Sequence, residues 1–417
     1  MPLSINSTGY AADAMTAGKE EESARSITSM ESNRDSRENP GRKFVASPAW
    51  KEEIKVTPSL IIQQAYNDNV YFTTANRKGD WTSTISPGLE FTDKTERLDA
   101  SLSARFNGIY YVDQHDLNAV DQFYRGTLRY SLSEKLTVGA EAGFIRDSQA
   151  TREIDTTGII FPMAVIRERQ NYGFTGDWHI NETTTTGISY NYGKDRYDQA
   201  NFTDLESQTV GLNFIKYFDE RIQGRINLGY ANYSLGASLV TIDNYNSTIG
   251  FSRDFSNIWS VLIDVGAVYT HSSFNVLAPE RTNEEWGPMG QLTIACKYEK
   301  TNGSLTLTRS VTPVSGVTGA ANRTSLGLNV NHRFTYEFSG YLTATYFINK
   351  SDPGEFSTTG IDQNTIQVSL GPRYNFNKDI FLTASYTYSR VDYGQTSTYA
   401  DQHLAMLTLN IQHTFFE

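Results

Sequence analysis

The sequence predicts an all-β protein, a transmembrane antiparallel up-and-down β-barrel of about 18 strands. Three observations predict this fold. From residue 54 to residue 417, apolar residues alternate with small or polar ones in segments that recur about every 20 residues. Many segments keep this alternation for about nine or more residues, the length that a tilted membrane-spanning strand needs. The connections between segments generally alternate between short and long.

The composition excludes several other classes of protein. The chain has 417 residues, a formal net charge of −11 and a single cysteine, Cys296. An acidic chain is repelled by phosphates, so nucleic acid is not an expected partner. One cysteine rules out a disulfide framework, a cysteine-based zinc site and an iron–sulfur cluster. No apolar stretch reaches the roughly 18 residues that a membrane-spanning helix needs.

Alternation assigns two different faces to each predicted strand. Leu98–Phe106 and Ile222–Tyr230 are examples in which Leu, Ile, Phe and Tyr share one face, while Ser, Asn, Gly and Arg lie on or near the other. Such a pattern is typical of a barrel wall with lipid outside and water inside. The eighteen segments start near residues 54, 81, 97, 121, 136, 165, 183, 204, 221, 242, 258, 286, 303, 322, 339, 361, 380 and 402.

The lengths of the connections predict the orientation of the barrel. Turns after even-numbered segments are tight, as at Ser133–Lys135 and Asn377–Asp379, whereas longer loops follow odd segments at Asn67–Asp80, Ser148–Phe161, Ser273–Glu285, Ser351–Gly360 and Gly394–Ala400. In bacterial outer-membrane barrels the short turns are periplasmic and the long loops extracellular. The cell outer membrane of a Gram-negative bacterium is therefore the expected location, with outer-membrane lipid around the wall. An even strand number places both chain ends in the periplasm.

Aromatic residues lie toward the ends of the segments on the apolar face, where rings with one polar end suit the lipid–water boundary. The members of this set are Trp81, Tyr110, Tyr124, Tyr172, Trp178, Tyr190, Tyr230, Trp259, Tyr269, Trp286, Tyr298, Tyr346 and Tyr388. A soluble β-sandwich, solenoid or propeller is the alternative. It predicts shorter strands of about 5–6 residues and a shorter repeat.

Residues 1–53 differ from the rest of the chain. They are rich in charged residues, Ser and Asn and nearly free of aromatic residues, as in Lys19–Ser23 and Asn33–Pro40. Such a segment buries too little apolar surface to offset the entropy of ordering. We expect a disordered periplasmic N-terminal tail over 1–53 and the barrel over 54–417.

Charged residues on the polar parity identify a candidate pore lining. A water-filled interior or partners of opposite sign are needed to accommodate them. They form either a ladder that sets selectivity or a set of solvated wall residues and wall salt bridges. The predicted pore-lining residues are Glu90, Arg105, Arg125, Arg129, Glu141, Arg225, Lys297, Arg333 and Arg373. Arg105, Arg125 and Arg129 predict a positive patch on strands three and four. Small and polar interior residues predict a lumen filled by water or by a partner chain.

One apolar stretch does not fit the strand pattern. Residues Ile159–Ile166 lie where an external loop is expected. Three interpretations are open: a constriction folded into the lumen, a contact with a partner, or a continuation of strand six.

No motif of an enzyme or of a cofactor site is present, so the sequence predicts neither catalysis nor a cofactor. The six histidines show no metal-ligand spacing, and no P-loop or nucleophile elbow occurs. His271-Ser272-Ser273 and Asp113–Asp116 lie near the expected outer rim, where some barrels carry hydrolase sites. Asn67-Asp68-Asn69 lacks the later acidic ligands of a calcium loop, and turn formation explains it.

The last segment predicts recognition by the barrel insertion machinery. Leu407, Leu409, Ile411, His413 and Phe415 share one face, and the strand ends in an aromatic residue. A final strand of this form resembles the insertion signal of outer-membrane barrels, with Leu409, Ile411, His413 and Phe415 as its core. Two additional residues follow Phe415.

Short motifs give the chain a resemblance to a known family. The barrel opens with Val56–Leu60 and Tyr66–Tyr71, continues with Ile85–Phe91 and carries Leu370–Phe376 near its other end. These motifs resemble those of the outer-membrane β-barrel porins found with exopolysaccharide and exosortase gene clusters, over roughly residues 54–417. Some members of that family are proposed components of polysaccharide secretion. The resemblance implies a polysaccharide-export-associated porin with periplasmic export proteins as partners. It carries over no binding or catalytic residue.

Two other functions remain compatible with the sequence. One is a general diffusion porin for small polar solutes. The other is a structural sheath around a multihaem cytochrome, as in porin–cytochrome electron conduits. All three functions use a wide barrel, since 16–18 strands leave an aqueous channel unless it is filled.

Overall fold

The computed structural model of this chain describes residues 53–148, 154–159, 165–199, 201–275, 281–314, 316, 319–358 and 360–415. Within them, 18 antiparallel strands form one closed sheet. Each strand pairs with its neighbours in sequence, and β1 also pairs with β18 over nine residues. The predicted fold class, an up-and-down barrel of 18 strands, is confirmed.

The strands run from 12 to 18 residues, long enough to cross a bilayer. They begin within five residues of the predicted starts. Their bounds are β1 Glu53–Asn67, β2 Asp80–Lys94, β3 Leu98–Tyr111, β4 Ala119–Ser131, β5 Leu136–Asp147, β6 Arg167–Asn181, β7 Thr184–Tyr197, β8 Leu205–Tyr217, β9 Ile222–Leu235, β10 Val240–Asp254, β11 Trp259–Phe274, β12 Arg281–Tyr298, β13 Thr301–Pro313, β14 Ala320–Arg333, β15 Phe338–Ser351, β16 Ile361–Asn375, β17 Ile380–Tyr393 and β18 Thr398–Gln412.

The two ends of the barrel differ in their connections. Those at one end have two to four residues, whereas those at the other have four to 19. The end with tight turns is called the inner end here, and the end with the longer loops the outer end. Two single-turn helices, His115–Leu117 and α1 (Ile154–Thr157), lie in outer loops. The described residues contain no helix that is long and apolar enough to cross a membrane.

Three predicted boundaries need correction. β1 begins at Glu53, one residue earlier than predicted, and the rest of the tail predicted over 1–53 lies outside the described residues. β11 extends to Phe274 and β12 begins at Arg281, so the loop predicted over Ser273–Glu285 is shorter; β18 likewise begins at Thr398, within the loop predicted over Gly394–Ala400. Near the outer ends of β11 and β12 the outward-facing residues are polar, as at His271 and Glu284. The alternation of apolar and polar residues therefore stops in the sequence before the hydrogen-bond ladder ends.

The outer face of the wall is a lipid-facing surface. Its apolar side chains stay exposed, including Leu102 at 61%, Val265 at 62% and Ile249 at 67%. Aromatic rings contact one another toward the outer end, where Tyr230, Tyr245, Tyr269 and Trp286 form a continuous row across four strands. This arrangement matches an aromatic girdle at a membrane boundary.

Proline and glycine explain one of the motifs behind the family resemblance. The β16–β17 ladder is interrupted between Leu370 and Arg373, at Gly371-Pro372. Proline has no N–H to donate, so pairing fails there. A Cβ atom at Gly371 would lie 2.0 Å from the carbonyl oxygen of Ala384, so only glycine permits this approach. The β2–β3 ladder has a similar gap at Ser86-Pro87. The Pro–Gly motifs are therefore structural.

The other motif fastens the seam between the first and last strands. The Asn69 side chain is fully buried, and its Nδ2 donates to the carbonyl oxygens of Thr73 and Asp401, both at 2.9 Å. Its Oδ1 accepts from the Thr73 N–H at 3.0 Å. Asp68 accepts from the His403 N–H at 2.7 Å. These side chains tie the β1–β2 loop to β18, as the turn interpretation of Asn67–Asn69 predicts.

At the inner end the chain continues to pair with β1 after β18 ends. Val56 and Phe415 exchange two backbone hydrogen bonds, of 3.2 and 2.9 Å, and His413 donates to the Pro58 carbonyl at 3.2 Å. Leu409 and Ile411 lie on the outer face of β18. The role of Leu409, Ile411, His413 and Phe415 as an insertion signal stays a prediction.

The orientation of the barrel is testable by labelling single cysteines in a Cys296→Ser background. Cysteine at Lys78 or Thr396, both exposed in outer loops, should react with a membrane-impermeant maleimide on intact cells. Cysteine at Glu134 or Lys378, both exposed in tight turns, should react only after lysis. Ser357 lies in an outer loop but is fully buried, so its cysteine variant is the slow-labelling control.

The two faces of β14 should respond differently to charge. Leu328→Arg places a cation in the lipid and should cost roughly 2–4 kcal/mol of unfolding free energy near the bilayer midplane. Asn329→Arg, at the next position on the interior face, should cost much less. Urea unfolding in lipid vesicles measures both. Equal losses would contradict the assignment of the two faces.

Removing the Asn69 side chain should weaken the seam. Asn69→Ala leaves buried partners unsatisfied, and a loss of about 1–3 kcal/mol is expected. The measurement is the temperature at which the folded band disappears in semi-native electrophoresis. Asn329→Ala, on the exposed interior of β14, is the matched control and should leave that temperature nearly unchanged.

Candidate functional site in the barrel interior

The nine predicted pore-lining residues all lie on the interior face of the wall. Arg105, for example, is in alternation with the lipid-exposed Leu102 and Phe106. The other eight follow the same parity rule on their strands: Glu90, Arg125, Arg129, Glu141, Arg225, Lys297, Arg333 and Arg373. Their effect on what passes through the barrel stays a prediction.

The predicted arginine patch occupies β3 and β4. The Arg105 guanidinium lies 5.3 Å from the ring centre of Phe123, which also faces inward. Arg125 is about half exposed and its Nη2 lies 3.7 Å from an Oε2 of Glu141 on β5. Arg129 is exposed and stands opposite Asp99 in the ladder. The patch is therefore a set of three arginines interspersed with carboxylates, facing an accessible part of the interior.

Arg225 has a different environment from the arginines of β3 and β4. It is buried, and its Nε donates to Asp264 Oδ1 at 2.6 Å. The two residues belong to β9 and β11, which are separated by β10. Gly250 on β10 lies beneath the pair, and a Cβ there would lie 2.0 Å from Asp264 Oδ1. Arg225 is thus a cross-strand wall residue, which agrees with the salt-bridge interpretation.

The remaining charges are near the inner end. The Arg373 guanidinium lies 3.6 Å from the ring centre of Phe381, and its Nε donates to Asn375 Oδ1 at 3.0 Å. Arg333 is exposed, while Glu90 and Lys297 are half-buried. Interior-facing residues on the inner parts of β3–β5 and β12–β16 are mostly half-buried or exposed. This part of the interior is called the inner vestibule below.

The outer half of the interior is packed with charged pairs that the sequence did not indicate. Arg167 and Asp147 form a bidentate pair at 3.1 and 2.5 Å with almost no exposure. Arg169 and Asp195 do the same at 2.7 and 2.6 Å. Their positions on neighbouring strands become visible only once the register is fixed. Bidentate geometry offsets the desolvation cost of burying such ions.

The longest loop has its described part inside the lumen. It joins β5 to β6, and its described part includes α1 and residues 158–159. Asn349 Nδ2 donates to the Thr157 carbonyl at 2.9 Å, and Ile159 packs against Val314, Ala321 and Ile361. Strands β14 and β15 lie nine strands away from β5 and β6, on the opposite side of the ring. For Ile159 the constriction interpretation is therefore correct, while residues 160–164 lie outside the described residues.

An apolar cluster fills part of the outer half. We call it the outer core; its members are Leu205, Ala231, Tyr233, Leu235, Val240, Ile242, Val268, Phe274, Val311, Ala320 and Phe356. Most are interior-facing residues at the outer ends of β8–β14, and Phe356 comes from the β15–β16 loop. In this part of the interior, the chain's own side chains occupy space that the sequence predicts to be filled by water or by a partner chain. Toward the outer end of the barrel, apolar side chains face inward because loops, rather than water, cover them.

At the outer rim, a Ser, a His and a Glu side chain lie close together, as in some hydrolase sites. His271 Nε2 lies 3.4 Å from Ser273 Oγ, and His271 Nδ1 lies 3.7 Å from Glu284 Oε1. The three side chains are on the outer face, away from the lumen. Hydrolysis by such a set needs N–H donors aimed at an oxyanion, but here the backbone runs in paired β11–β12 strands. We assign this set no catalytic role.

The second rim segment is structural. The Asp80 carboxylate accepts backbone N–H groups of Asp113 and Gln114, at 3.1 and 2.7 Å, and so holds the β3–β4 loop. The Tyr71 hydroxyl donates to Asp116 at 2.8 Å. Burial and this hydrogen bond raise the pKa of Tyr71 to about 12, so the hydroxyl stays a donor at neutral pH. Among the described residues no group of acidic, His or Cys side chains is placed to hold a metal ion.

Comparison with known proteins shows similarity of structure only. No family model matches the chain, and no curated protein does. The crystal structure of Acinetobacter baumannii OccAB4 is 12% identical, covers 90% of this chain and 100% of its own, and has a TM-score of 0.51. The outer membrane protein opdK from Pseudomonas aeruginosa is 10% identical, with coverages of 86% and 99% and a TM-score of 0.45.

A third similar structure is Pseudomonas aeruginosa OccK2 (OpdF) in complex with glucuronate. It is 11% identical, with coverages of 88% and 100% and a TM-score of 0.46. Of these three structures, OccAB4, with a TM-score above 0.5, supports the fold. The closed antiparallel barrel with a lipid-facing girdle defines the class: the protein is a β-barrel of the bacterial outer membrane.

Proposed function

We propose that the protein is an outer-membrane channel for small polar solutes, with a preference for anions, and not an enzyme. The observation that carries the proposal is the inner vestibule, where Arg125 and Arg129 are accessible on the interior wall. A wall lined by an excess of one charge raises the local concentration of solutes of the opposite charge. The β5–β6 loop with Ile159 and the outer core narrow the path, which favours small solutes.

Export of a polysaccharide is a second candidate, as the motif resemblance suggests. The vestibule suits an acidic polymer as well as a small anion, because both are recognised by the same arginines. The β5–β6 loop counts against it, since a polymer chain must pass the loop over its whole length. Acidic oligosaccharides of increasing length, added in the conductance assay, distinguish the two candidate functions. In a channel for small solutes, transient blockages of the current should become rarer as the oligosaccharide becomes longer.

The sheath around a cytochrome is the least favoured function. A haem chain through the barrel has to occupy the outer half, where Leu235, Val240, Phe274 and Phe356 are already almost completely buried against one another. Replacing these contacts costs the burial of several large apolar side chains, each worth roughly 1.5–3 kcal/mol.

Neutralising the arginine patch should change selectivity. The triple variant Arg105→Gln, Arg125→Gln and Arg129→Gln removes three cations from the wall of β3 and β4. In planar bilayers under a salt gradient, the reversal potential should move toward that of a non-selective pore, while conductance persists. Lys350→Gln, which removes a cation on the outer face, is the matched control and should leave the reversal potential unchanged. An unchanged potential in the triple variant refutes the anion preference.

A further inference from the structure

In the described part of the barrel wall, the seam between β12 and β13 is incomplete. The β12–β13 ladder stops at Gly290–Arg309 after nine pairs, although both strands continue outward. β12 goes on to Arg281 and pairs with β11 over sixteen residues. β13 goes on to Pro313 and pairs with β14. Within the described residues, no strand pairs with the other edge of β12 above Gly290.

Two prolines account for the end of this ladder. Lys297 donates its backbone N–H to the carbonyl of Ile258, on the β11 side. The backbone groups of successive residues point to opposite neighbouring strands, so the backbone nitrogen of Pro288 points toward β13. Val314 donates its backbone N–H to the carbonyl of Gly319, on the β14 side. By the same rule, the backbone nitrogen of Pro313 points toward β12. Each proline lacks an N–H where the seam would need a donor. The sequence itself therefore prevents complete pairing above Gly290.

Beyond the seam the hairpin leaves the wall and enters the lumen. The β13–β14 tip is defined here as residues 310–314 and 319–323. Val311 has the lipid-facing parity of Leu305 and Leu307, yet it is only 8% exposed and packs in the outer core. Ala320 and Ala321 are consecutive and both fully buried, so the tip is covered on two faces. A strand in a membrane wall exposes one of its two faces to lipid.

The tip is held inside by contacts with loops, not by the wall. Ala320 donates its N–H to the Phe356 carbonyl at 2.9 Å, and Gly319 pairs with Ser357. Gly316, between the two arms of the tip, accepts from the Thr203 N–H at 3.2 Å. Thr203 belongs to the β7–β8 loop, and the β7–β8 hairpin lies six strands away from β13–β14 around the ring. The outer opening is thus spanned by this hairpin together with the β5–β6 loop.

We propose that the β13–β14 tip is the gate of the channel and swings about the last wall pair, Gly290–Arg309. In the closed position the tip lies in the outer core; in the open position it moves toward the free edge of β12 and clears the path from the vestibule to the outside. The two prolines prevent β12 and β13 from forming a full hydrogen-bond ladder at this seam. Pairing with β12 therefore stabilises the tip only weakly in the wall. This proposal rests on the proposed channel function.

The test is a disulfide that fixes the tip in its closed position. Ala320→Cys with Phe356→Cys, in a Cys296→Ser background, links opposing backbone positions of an antiparallel pair. Thr293→Cys with Thr306→Cys is the matched control, because these paired residues lie in the same two strands below the hinge, with hydroxyl oxygens 3.2 Å apart. Conductance is measured in planar bilayers before and after reduction, with cross-linking verified by mass spectrometry.

We expect the oxidised Ala320–Phe356 pair to lose conductance and to regain it on reduction, while the control pair conducts in both states. Val311→Asn, which weakens the outer core, should lengthen open times. Full conductance from the oxidised Ala320–Phe356 protein overturns the gate but leaves the channel standing. Absence of conductance from the control pair, the Val311 variant and the wild type overturns the channel and the gate with it.

Discussion

The closed hydrogen-bond ladder is the constraint on which the rest of the structure depends. In lipid, a backbone N–H or carbonyl without a partner costs several kcal/mol, so a sheet that crosses a membrane has to close on itself. The contact between β1 and β18 provides this closure, with nine pairs inside the wall and a further pair of bonds between Val56 and Phe415. Asn69 and Asp68 fasten the outer end of the same seam. The family-like motif is thus located where the ring is joined.

The same constraint gives meaning to the places where the ladder fails. The gaps at Ser86-Pro87 and Gly371-Pro372 are short, and pairing resumes on both sides. The seam between β12 and β13 is different, because pairing does not resume and the hairpin turns inward. Its position next to the outer girdle, near Trp286, limits the cost of the free edge, since polar groups at the boundary reach water. A barrel of this kind can tolerate an edge only at its rim.

The interior is divided by what covers it. Toward the inner end, interior side chains are accessible and charges of both signs lie along the wall, as with Arg125 and Glu141. Toward the outer end, loops cover the wall from inside, so apolar residues and bidentate ion pairs such as Arg167–Asp147 replace solvated polar groups. Different parts of the sequence therefore produce these two features. The loops narrow the path, and the residues on the inward parity of the strands determine the charge of the vestibule.

The sequence by itself determined the class, the strand count, the faces of the strands and the alternation of turns and loops, because a two-residue period is a local property of the chain. It also assigned all nine charged residues to the interior. It did not determine the neighbours of those residues: the burial of Arg225 with Asp264 depends on register across three strands, over Gly250. The outer core and the inward turn of the β13–β14 hairpin were decided only by the tertiary structure. Val311 has lipid-facing parity in the sequence, and its burial follows from a bend of the wall that no local period records.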